Sequence, residues 1–206
     1  MDLASLIRPV PDFPKPGILF RDITPLLADH AGFVEAIRQL AEPWRNEHID
    51  AIAAVEARGF LFAGPLAIEL GVGVIPVRKP GKLPAATISH AYDLEYGTDT
   101  LEMHADILEH ASRVLVVDDV LATGGTAAAC MKLIEAGGGH VAGAAFLVEI
   151  EPLGRRGIHA PGGLAGLRPP VAPPGSHNEG PAGHPCPRRP ARASARRSHL
   201  RAPDSA

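Results

Sequence analysis

The chain has 206 residues, which is enough for one domain with a buried core and too few for two full domains of ordinary size. Its formal net charge of −3 conceals two different parts: residues 155–206 hold nine arginines, no lysine and two carboxylates, a net +7, leaving −10 for residues 1–154. No apolar run approaches the roughly 20 residues of a membrane span, and the N-terminus lacks the apolar block of a signal peptide. We therefore expect a cytoplasmic protein with no membrane partner.

Residues 155–206 form a segment rich in Arg, Pro, Gly and Ala, with ten prolines and seven glycines in 52 residues. Its large apolar residues are isolated, so it cannot bury enough surface to offset the entropy of ordering. We predict a folded domain over 1–154 and a disordered tail over 155–206. The arginines could neutralise nucleic-acid phosphates, but the tail has no aromatic residue to stack on bases. A solvated or non-native extension is the favoured interpretation, and a nucleic-acid partner is not expected.

Helical and strand-like segments alternate within residues 1–154. Apolar residues at three- and four-residue intervals predict an amphipathic helix through Phe33, Ile37, Leu40 and Trp44. Two other segments read as helices, each closed by glycine: 59–70 before Gly71, and 126–136 before the glycines at 137–139. Short apolar runs predict buried strands at 49–55, 72–77, 114–117 and 141–150. The alternation predicts an α/β fold, with a mainly parallel twisted sheet and helices on both faces.

The stretch VLVVDDVLATGGT (114–126) carries the strongest chemical signal. Asp118 and Asp119 are predicted to lie where the strand 114–117 ends, at the sheet edge where ligands of parallel sheets bind. The turn Ala122–Thr126 then leads into a helix, so backbone N–H groups and the positive end of the helix dipole converge there. Gly124 and Gly125 allow an anion to approach the backbone, and the hydroxyls of Thr123 and Thr126 can donate hydrogen bonds.

The same stretch excludes the commoner phosphate binders. The chain has neither GxxxxGK[ST] nor GxGxxG with a later acidic residue, so an ATPase or dehydrogenase loop is not indicated. A loop this short fits a monophosphate, and two carboxylates just upstream can accept hydrogen bonds from the vicinal hydroxyls of a ribose. The pattern therefore predicts a ribose 5-phosphate site, against the alternative of a plain strand-to-helix turn with a solvated aspartate pair.

VLVVDDVLATGGT is similar to the signature of the type I phosphoribosyltransferases, which use 5-phosphoribosyl 1-diphosphate (PRPP). Four further stretches resemble the adenine phosphoribosyltransferases in the same order: PDFPKPGILFRDITPLL (11–27), VEARGFLFAGPLA (55–67), RKPGKLP (78–84) and YDLEYGTDTLEMH (92–104). The resemblance spans about Leu6 to about Gly154. It implies the type I fold with a small N-terminal hood and a mobile loop, and a purine salvage enzyme that converts PRPP and adenine to AMP and diphosphate.

The resemblance assigns roles to residues at the strand ends. Asp118 and Asp119 would hold the ribose hydroxyls, and the loop Ala122–Thr126 would hold the 5-phosphate. Glu56 and Ala57 would belong to a diphosphate loop containing a cis peptide bond between them. Arg58 would pair with the leaving diphosphate through its planar guanidinium.

The polar stretch from residue 78 to about 100 corresponds in the family to a mobile loop that closes over the reactants. Composition alone favours an ordinary surface loop. The resemblance instead implies that its basic residues contact the diphosphate: Arg78, Lys79 and Lys82. Glu95 would handle the proton at the purine, with Tyr96 beside it in the binding set.

Leu19, Phe20 and Arg21 match the family's adenine pocket, where the base stacks on an aromatic ring. From the residues alone, Phe20 could equally be an ordinary core side chain. The selection of adenine over other purines therefore comes from the resemblance alone, and an enzyme for another purine stays open.

Magnesium is expected because PRPP carries a diphosphate, with ligands mainly from PRPP oxygens and water; no metal site built from protein side chains is predicted. The resemblance implies a homodimer. A non-catalytic PRPP- or nucleotide-binding regulator of the same fold is the alternative. After about Gly154 the chain departs from the family pattern, and we hypothesise that a reading-frame change replaced the family's C-terminus.

Overall fold

A computed structural model describes residues 1–94, 97–108, 112–150 and 164–167, the last four by their backbone. The described strands, in chain order, are β1 (Arg8–Pro11), β2 (Leu19–Asp22), β3 (Ala51–Val55), β4 (Gly73–Val77), β5 (Thr87–Leu94), β6 (Gly97–His104), β7 (Arg113–Leu121), β8 (His140–Glu149) and β9 (Leu164–Leu167). The described α-helices are α1 (Thr24–Ala28), α2 (His30–Ala41), α3 (Gly59–Leu70) and α4 (Gly125–Ala136). Short 3-10 helices span Leu3–Leu6 and Glu42–Trp44.

Five of the described strands form one parallel sheet in the order β4–β3–β7–β8–β9. Two antiparallel pairs stand apart from it: β1 with β2, which is the N-terminal hood, and β5 with β6, which is a hairpin. The predicted mainly parallel α/β architecture is confirmed.

Alternate residues of the central strands point to two separate apolar cores. Ile52 and Leu115 pack on one face with α2 and α3, while Ala53 and Val116 pack on the other with α4 and the hairpin strand β6. Because side chains alternate across a strand, a sheet covered on both faces needs nearly continuous apolar sequence, as in 114–117. Helices therefore cover both faces, as predicted.

The predicted helix 59–70 is confirmed at both ends, and Gly71 closes it in the left-handed conformation with φ of 71°. The helix predicted through Trp44 ends earlier, at Ala41, because Pro43 lacks the N–H that another α-helical turn requires. Trp44 is nevertheless buried, lying so close to Gly143 that a β-carbon added there would be 2.1 Å from Trp44 Cη2.

The prediction of a polar loop over about 78–100 is wrong for the local structure of this stretch. Most of it belongs to the β5–β6 hairpin, which pairs Thr87 with His104 at one end and Leu94 with Gly97 at the other. Alternating polar and apolar residues explain this, because Leu101 and Met103 face the core while their neighbours do not. Glu95 and Tyr96 lie outside the described residues.

Leu164–Leu167 differ from the disordered tail predicted over 155–206. These four residues form β9, whose backbone pairs in parallel with Ala144–Val148 of β8 and so uses a sheet edge that would otherwise stand open. The rest of 155–206 lies outside the described residues, where the tail stays a prediction. In the described part of the chain, no helix is long and apolar enough to cross a membrane.

Candidate active site

The two aspartates lie in the last part of β7, not beyond it. The predicted strand end at 117 is wrong, since β7 continues to Leu121, paired with Glu149 of β8. On its other side β7 pairs with β3 only as far as Val117, opposite Ala54. Asp118 and Asp119 therefore lie past the last residue pair between β3 and β7 while β8 still pairs with this part of β7, which places them at the predicted carboxyl edge.

Burial dominates the electrostatics of the pair. Asp119 is 3% exposed, and Asp118 is held by a hydrogen bond of 2.9 Å from the Asp119 amide to its Oδ1. Burial, then the neighbouring Asp119 charge, raise the pKa of Asp118 to about 7. Burial also raises the pKa of Asp119, against the opposing effect of Arg58. Two like charges in such a site are stable only with a cation or a hydrogen-bond donor nearby.

Arg58 supplies that cation. Its Nε lies 2.9 Å from Asp119 Oδ2, although the direction is not that of a hydrogen bond, so the contact is an ion pair. Arg58 also stacks over the Phe20 ring, with its Cζ 5.6 Å from the ring centroid. It precedes Gly59, the first residue of α3, where an added β-carbon would be 2.9 Å from Asp118 Oδ1. The start of α3 thus packs closely against the aspartates.

The loop Ala122–Thr126 leads directly into α4, with Gly124 in the left-handed conformation at φ of 85°. Among the described residues, the first amide here that donates to the backbone is that of Ala128, which bonds Gly124 O at 2.9 Å. The six preceding amides, from Ala122 to Ala127, have no recorded acceptor within that part of the chain. The loop therefore offers free donors at a helix N-terminus, which is what an anion requires.

The N-terminal hood brings the predicted adenine residues to the same place. Phe20 is half-buried, and its ring meets that of Phe13 edge-on at 5.1 Å. Leu19 is 39% exposed. Phe20 is thus not a fully buried core residue, and it lines the cavity described next.

A cavity of about 360 Å³ joins these parts. It contains most of the predicted site: Leu19, Phe20, Arg21, Arg58, Asp118, Asp119, Ala122, Thr123, Gly124, Gly125 and Thr126. Sequence reasoning missed other lining residues: Ile18, Val120, Leu121, Ala127, Phe146 and Ile150. The register explains two of them, since Phe146 is paired with Asp118 and the Ile150 amide donates to Leu121 O. A strand predicted at 141–150 beside 114–117 could have suggested that its end reaches the same edge.

The other predicted residues that the structure describes lie outside this lining. The Glu56–Ala57 peptide is cis, as expected. Glu56 accepts hydrogen bonds from the Lys79 amide at 2.7 Å and from Arg78 Nη2 at 2.8 Å, and these contacts, the Lys79 amide first, lower its pKa. Lys82 contributes its carbonyl oxygen to Arg78 Nη1 at 3.2 Å. The structure thus gathers these residues around Glu56.

Lys79 has a second carboxylate partner. Its Nζ lies 2.9 Å from Asp99 Oδ2 on β6, and this contact lowers the pKa of Asp99 and raises that of Lys79. Arg78 and Lys79, two of the cations that the resemblance assigned to a diphosphate, are therefore paired with carboxylates of the chain in this structure. Any polyanion that binds them must replace Glu56 and Asp99.

Comparisons with known proteins identify the family of the chain. The model of the phosphoribosyl transferase domain matches residues 26–156. An adenine phosphoribosyltransferase of Chloroflexus aurantiacus is 56% identical over 155 residues, covering 75% of this chain and 90% of that protein. The crystal structure of adenine phosphoribosyltransferase from Thermoanaerobacter pseudethanolicus has a TM-score of 0.76 at 51% identity, covering 81% of this chain and 97% of that one.

A more distant structure adds a ligand-bound relative. Adenine phosphoribosyltransferase from Saccharomyces cerevisiae, complexed with an imino-altritol bisphosphate and adenine, has a TM-score of 0.73 at 36% identity and covers 81% of this chain and 96% of its own. The domain match extends over more than half of the chain, and the Chloroflexus relative is covered over nine-tenths of its length. The chain therefore belongs to the phosphoribosyltransferase family and, within it, to the adenine phosphoribosyltransferases.

Proposed function

We propose that this chain transfers the 5-phosphoribosyl group of PRPP to adenine, giving AMP and diphosphate in purine salvage. The observation that carries the proposal is the run of amides from Ala122 to Ala127 with no recorded acceptor among the described residues, beside the buried pair Asp118 and Asp119. These amides can donate hydrogen bonds to a phosphate, and the two carboxylates can accept hydrogen bonds from the hydroxyls of a sugar. Both sets of groups line one cavity, which Phe20 also lines.

In the proposed complex the 5-phosphate accepts hydrogen bonds from the loop Ala122–Thr126. The ribose hydroxyls donate to Asp118 and Asp119, which gives these buried carboxylates the polar partners they need. Arg58 exchanges its ion pair with Asp119 for the more highly charged diphosphate. The exchange frees an Asp119 oxygen for the sugar at the moment that the sugar arrives.

The reaction breaks the bond between ribose C1 and the diphosphate oxygen while adenine N9 forms a new bond to C1. The bonding electron pair leaves with diphosphate, so positive charge develops on the sugar ring. Asp118 and Asp119 stabilise that charge electrostatically, because a fixed carboxylate in a low-dielectric site acts strongly. Adenine stacks on Phe20, and Glu95 accepts the proton that N9 loses.

Magnesium fits this site as a companion of PRPP. Within the described residues no group of three or more His, Cys, Asp or Glu side chains could hold a metal ion. The carboxylates that line the cavity are a pair, and burial raises the pKa of each. PRPP oxygens and water would supply most ligands, with Asp118 or Asp119 at most assisting. Bound Mg²⁺ would neutralise diphosphate charge and make it a better leaving group.

The basic residues of 78–82 would complete the site. Arg78, Lys79 and Lys82 lie outside the cavity lining and would bind the diphosphate after the hairpin moves towards it. Such a movement would also carry Glu95 and Tyr96 over the reactants and exclude water.

We also propose that the protein is a cytoplasmic homodimer. Leu61 and Ile68, seven residues apart on α3 and so on one helical face, are 47% and 85% exposed. An apolar stripe of this kind is typical of an interface. Sedimentation of the full chain and of Ile68→Lys tests this, since the charge should shift the protein towards monomer.

The proposed activity is tested by mixing the full chain with PRPP, Mg²⁺ and adenine and measuring AMP and diphosphate. Equal amounts of both products are expected, with adenine preferred over hypoxanthine and guanine, and EDTA should abolish turnover. PRPP binding without AMP formation would favour the regulator, and a preference for another purine would correct the substrate.

The role of Glu95 has its own test. Glu95→Gln should slow turnover by roughly 10² to 10⁴ fold while PRPP affinity stays near normal, because the amide cannot accept the proton but leaves the phosphate contacts intact. Glu135→Gln is a matched control on the exposed part of α4, where that side chain pairs with Lys132 at 2.8 Å. A Glu95→Gln enzyme that turns over at the parent rate would refute the assignment.

A further inference from the structure

The β5–β6 hairpin rests directly on the loop proposed to bind the 5-phosphate. The hydroxyl of Tyr92, on β5, lies 3.4 Å from Thr126 Oγ1. A β-carbon added to Gly125 would be 3.7 Å from the Tyr92 ring and 3.5 Å from the carbonyl oxygen of Asp93. The hairpin thus contacts both Gly125 and Thr126, the first two residues of α4. Tyr92 is three residues before Glu95 in the chain.

Tyr92 also faces the ion pair that occupies Lys79. Its partner across the hairpin is Asp99, whose carboxylate lies 2.9 Å from Lys79 Nζ. After the larger effects of Lys79 and the Thr100 amide, hydrogen bonding from Tyr92 also lowers the pKa of Asp99. One phenol therefore stands between the phosphate loop and a cation proposed to bind diphosphate.

Counting protons shows why the position matters. A phenol and a threonine hydroxyl each have one proton to donate. In the contact between Tyr92 and Thr126 either hydroxyl can be the donor. A phosphate in the loop needs the Thr126 proton for itself, so Tyr92 must then be the donor if that contact is to persist.

The length of the contact fits such a change. At 3.4 Å it is longer than the roughly 2.8 Å of a full O–H···O hydrogen bond, which leaves room for it to shorten when phosphate fixes Tyr92 as the donor. The Tyr92 ring is half-buried and packs against the core below α4, which keeps the phenol in place while the direction of donation changes.

We propose that Tyr92 is a positioning residue that couples occupation of the phosphate loop to the seating of the β5–β6 hairpin. This inference rests on the proposed function, because it needs phosphate at Thr126. Tyr92 acts through Thr126 and touches no reacting atom.

The test uses Tyr92→Phe in the full chain, which removes the hydroxyl and keeps the ring. KM for PRPP should rise about five-fold, the value of one neutral hydrogen bond, while KM for adenine stays within two-fold. In the background of Thr126→Val the same change should have no further effect, whereas in Thr126→Ser, which keeps a hydroxyl, it should persist. Ser89→Ala, a hydroxyl deletion at an exposed position of β5, is the control and should leave both KM values unchanged.

Hydrogen exchange gives a readout that loss of packing alone would not produce. Ribose 5-phosphate should protect amides of 87–94 and 97–104 in the parent and in Ser89→Ala, and protect them less in Tyr92→Phe. Inorganic phosphate alone should give part of the protection if the loop is the trigger.

The outcomes separate the two proposals. Parental KM and protection in Tyr92→Phe, or effects that simply add to those of Thr126→Val, would overturn the coupling while leaving the transferase intact. A parent chain that neither makes AMP nor binds ribose 5-phosphate would overturn the proposed function and the coupling together.

Discussion

The cavity edge and the core below α2 differ in what they bury: the edge buries carboxylates and the core buries apolar side chains. At the edge, Asp119 is buried with its neighbour Asp118, and burial raises the pKa of both. Below α2, Trp44 packs on Gly143 among apolar side chains such as Leu40. The carboxylates at the edge would be more stable in contact with water or a ligand than they are when buried, whereas the apolar core is stabilised by excluding both. Stability and chemistry therefore come from different parts of one sheet. Substitutions at the edge should reduce activity with little change in stability, and substitutions in the core should reduce stability with little change in substrate binding.

The largest effect should come from neutralising the edge. Asp119→Asn should reduce AMP formation by about 10² to 10³ fold, because a carboxylate no longer faces the developing positive charge. Stability should change by less than about 1 kcal/mol, since the lost ion pair is to Arg58, which is 48% exposed. Asp106→Asn, at an exposed position, is the control for both measurements. An Asp119→Asn enzyme with the parent rate would remove the aspartates from the mechanism.

The core should show the reverse pattern. Gly143→Ala places a β-carbon 2.1 Å from Trp44 Cη2, and the overpacking should lower the free energy of unfolding by about 3 kcal/mol. Urea denaturation followed by Trp44 fluorescence measures this. The folded fraction should keep the parent KM for PRPP, because no cavity residue changes. Unaltered stability would mean that Trp44 moves aside at little cost.

The pH dependence of stability should distinguish the regions further. The pKa of Asp118 is near 7 in the folded chain against a usual value of 3.8, so between these values the folded chain keeps a proton that the unfolded chain has lost. Stability of the unliganded protein should therefore fall as pH rises from about 4 to 8, by an amount on the order of 2 kcal/mol. Asp118→Asn should flatten this slope and be the more stable protein at pH 8, as thermal denaturation at several pH values would show. Parallel profiles for the two proteins would contradict the burial of the charge.

The smallest effect tests the steric argument itself. Gly64 lies inside α3, and an added β-carbon would meet nothing within 4 Å. Gly64→Ala should stabilise the protein by roughly 0.5 to 1 kcal/mol, because alanine loses less backbone entropy in a helix. It is also the matched control for Gly143→Ala. Destabilisation by both changes would mean that the space around the glycine does not determine the effect of alanine on stability.

Local signals predicted the parts of the molecule whose determinants lie close together in the chain. Gly71 fixed the end of α3, and the spacing of Asp118 and Asp119 from Gly124 placed the loop correctly. These features need a turn, a cap or a run of small residues, all of which a short window contains.

Features that depend on neighbouring strands were not predictable in this way. β7 extends to Leu121 because β8 pairs with it, and Phe146 reaches the cavity through the same register. The pairing of Lys79 with Asp99 depends on the hairpin that brings β6 alongside. Such contacts join residues about 20 or more positions apart, and periodicity within one segment does not encode them.

The unequal lengths of β3 and β7 give this scaffold its tolerance to change. Pairing stops at Ala54 and Val117, so among the described strands the final stretch Asp118–Leu121 forms a ledge that is paired with β8 alone. The room for a sugar is thus set by a mismatch in strand length, and no individual side chain creates it. Bases of different shape could be accommodated by altering the hood above the ledge, whereas lengthening β3 by two paired residues would fill the space and abolish the site whatever side chains surrounded it.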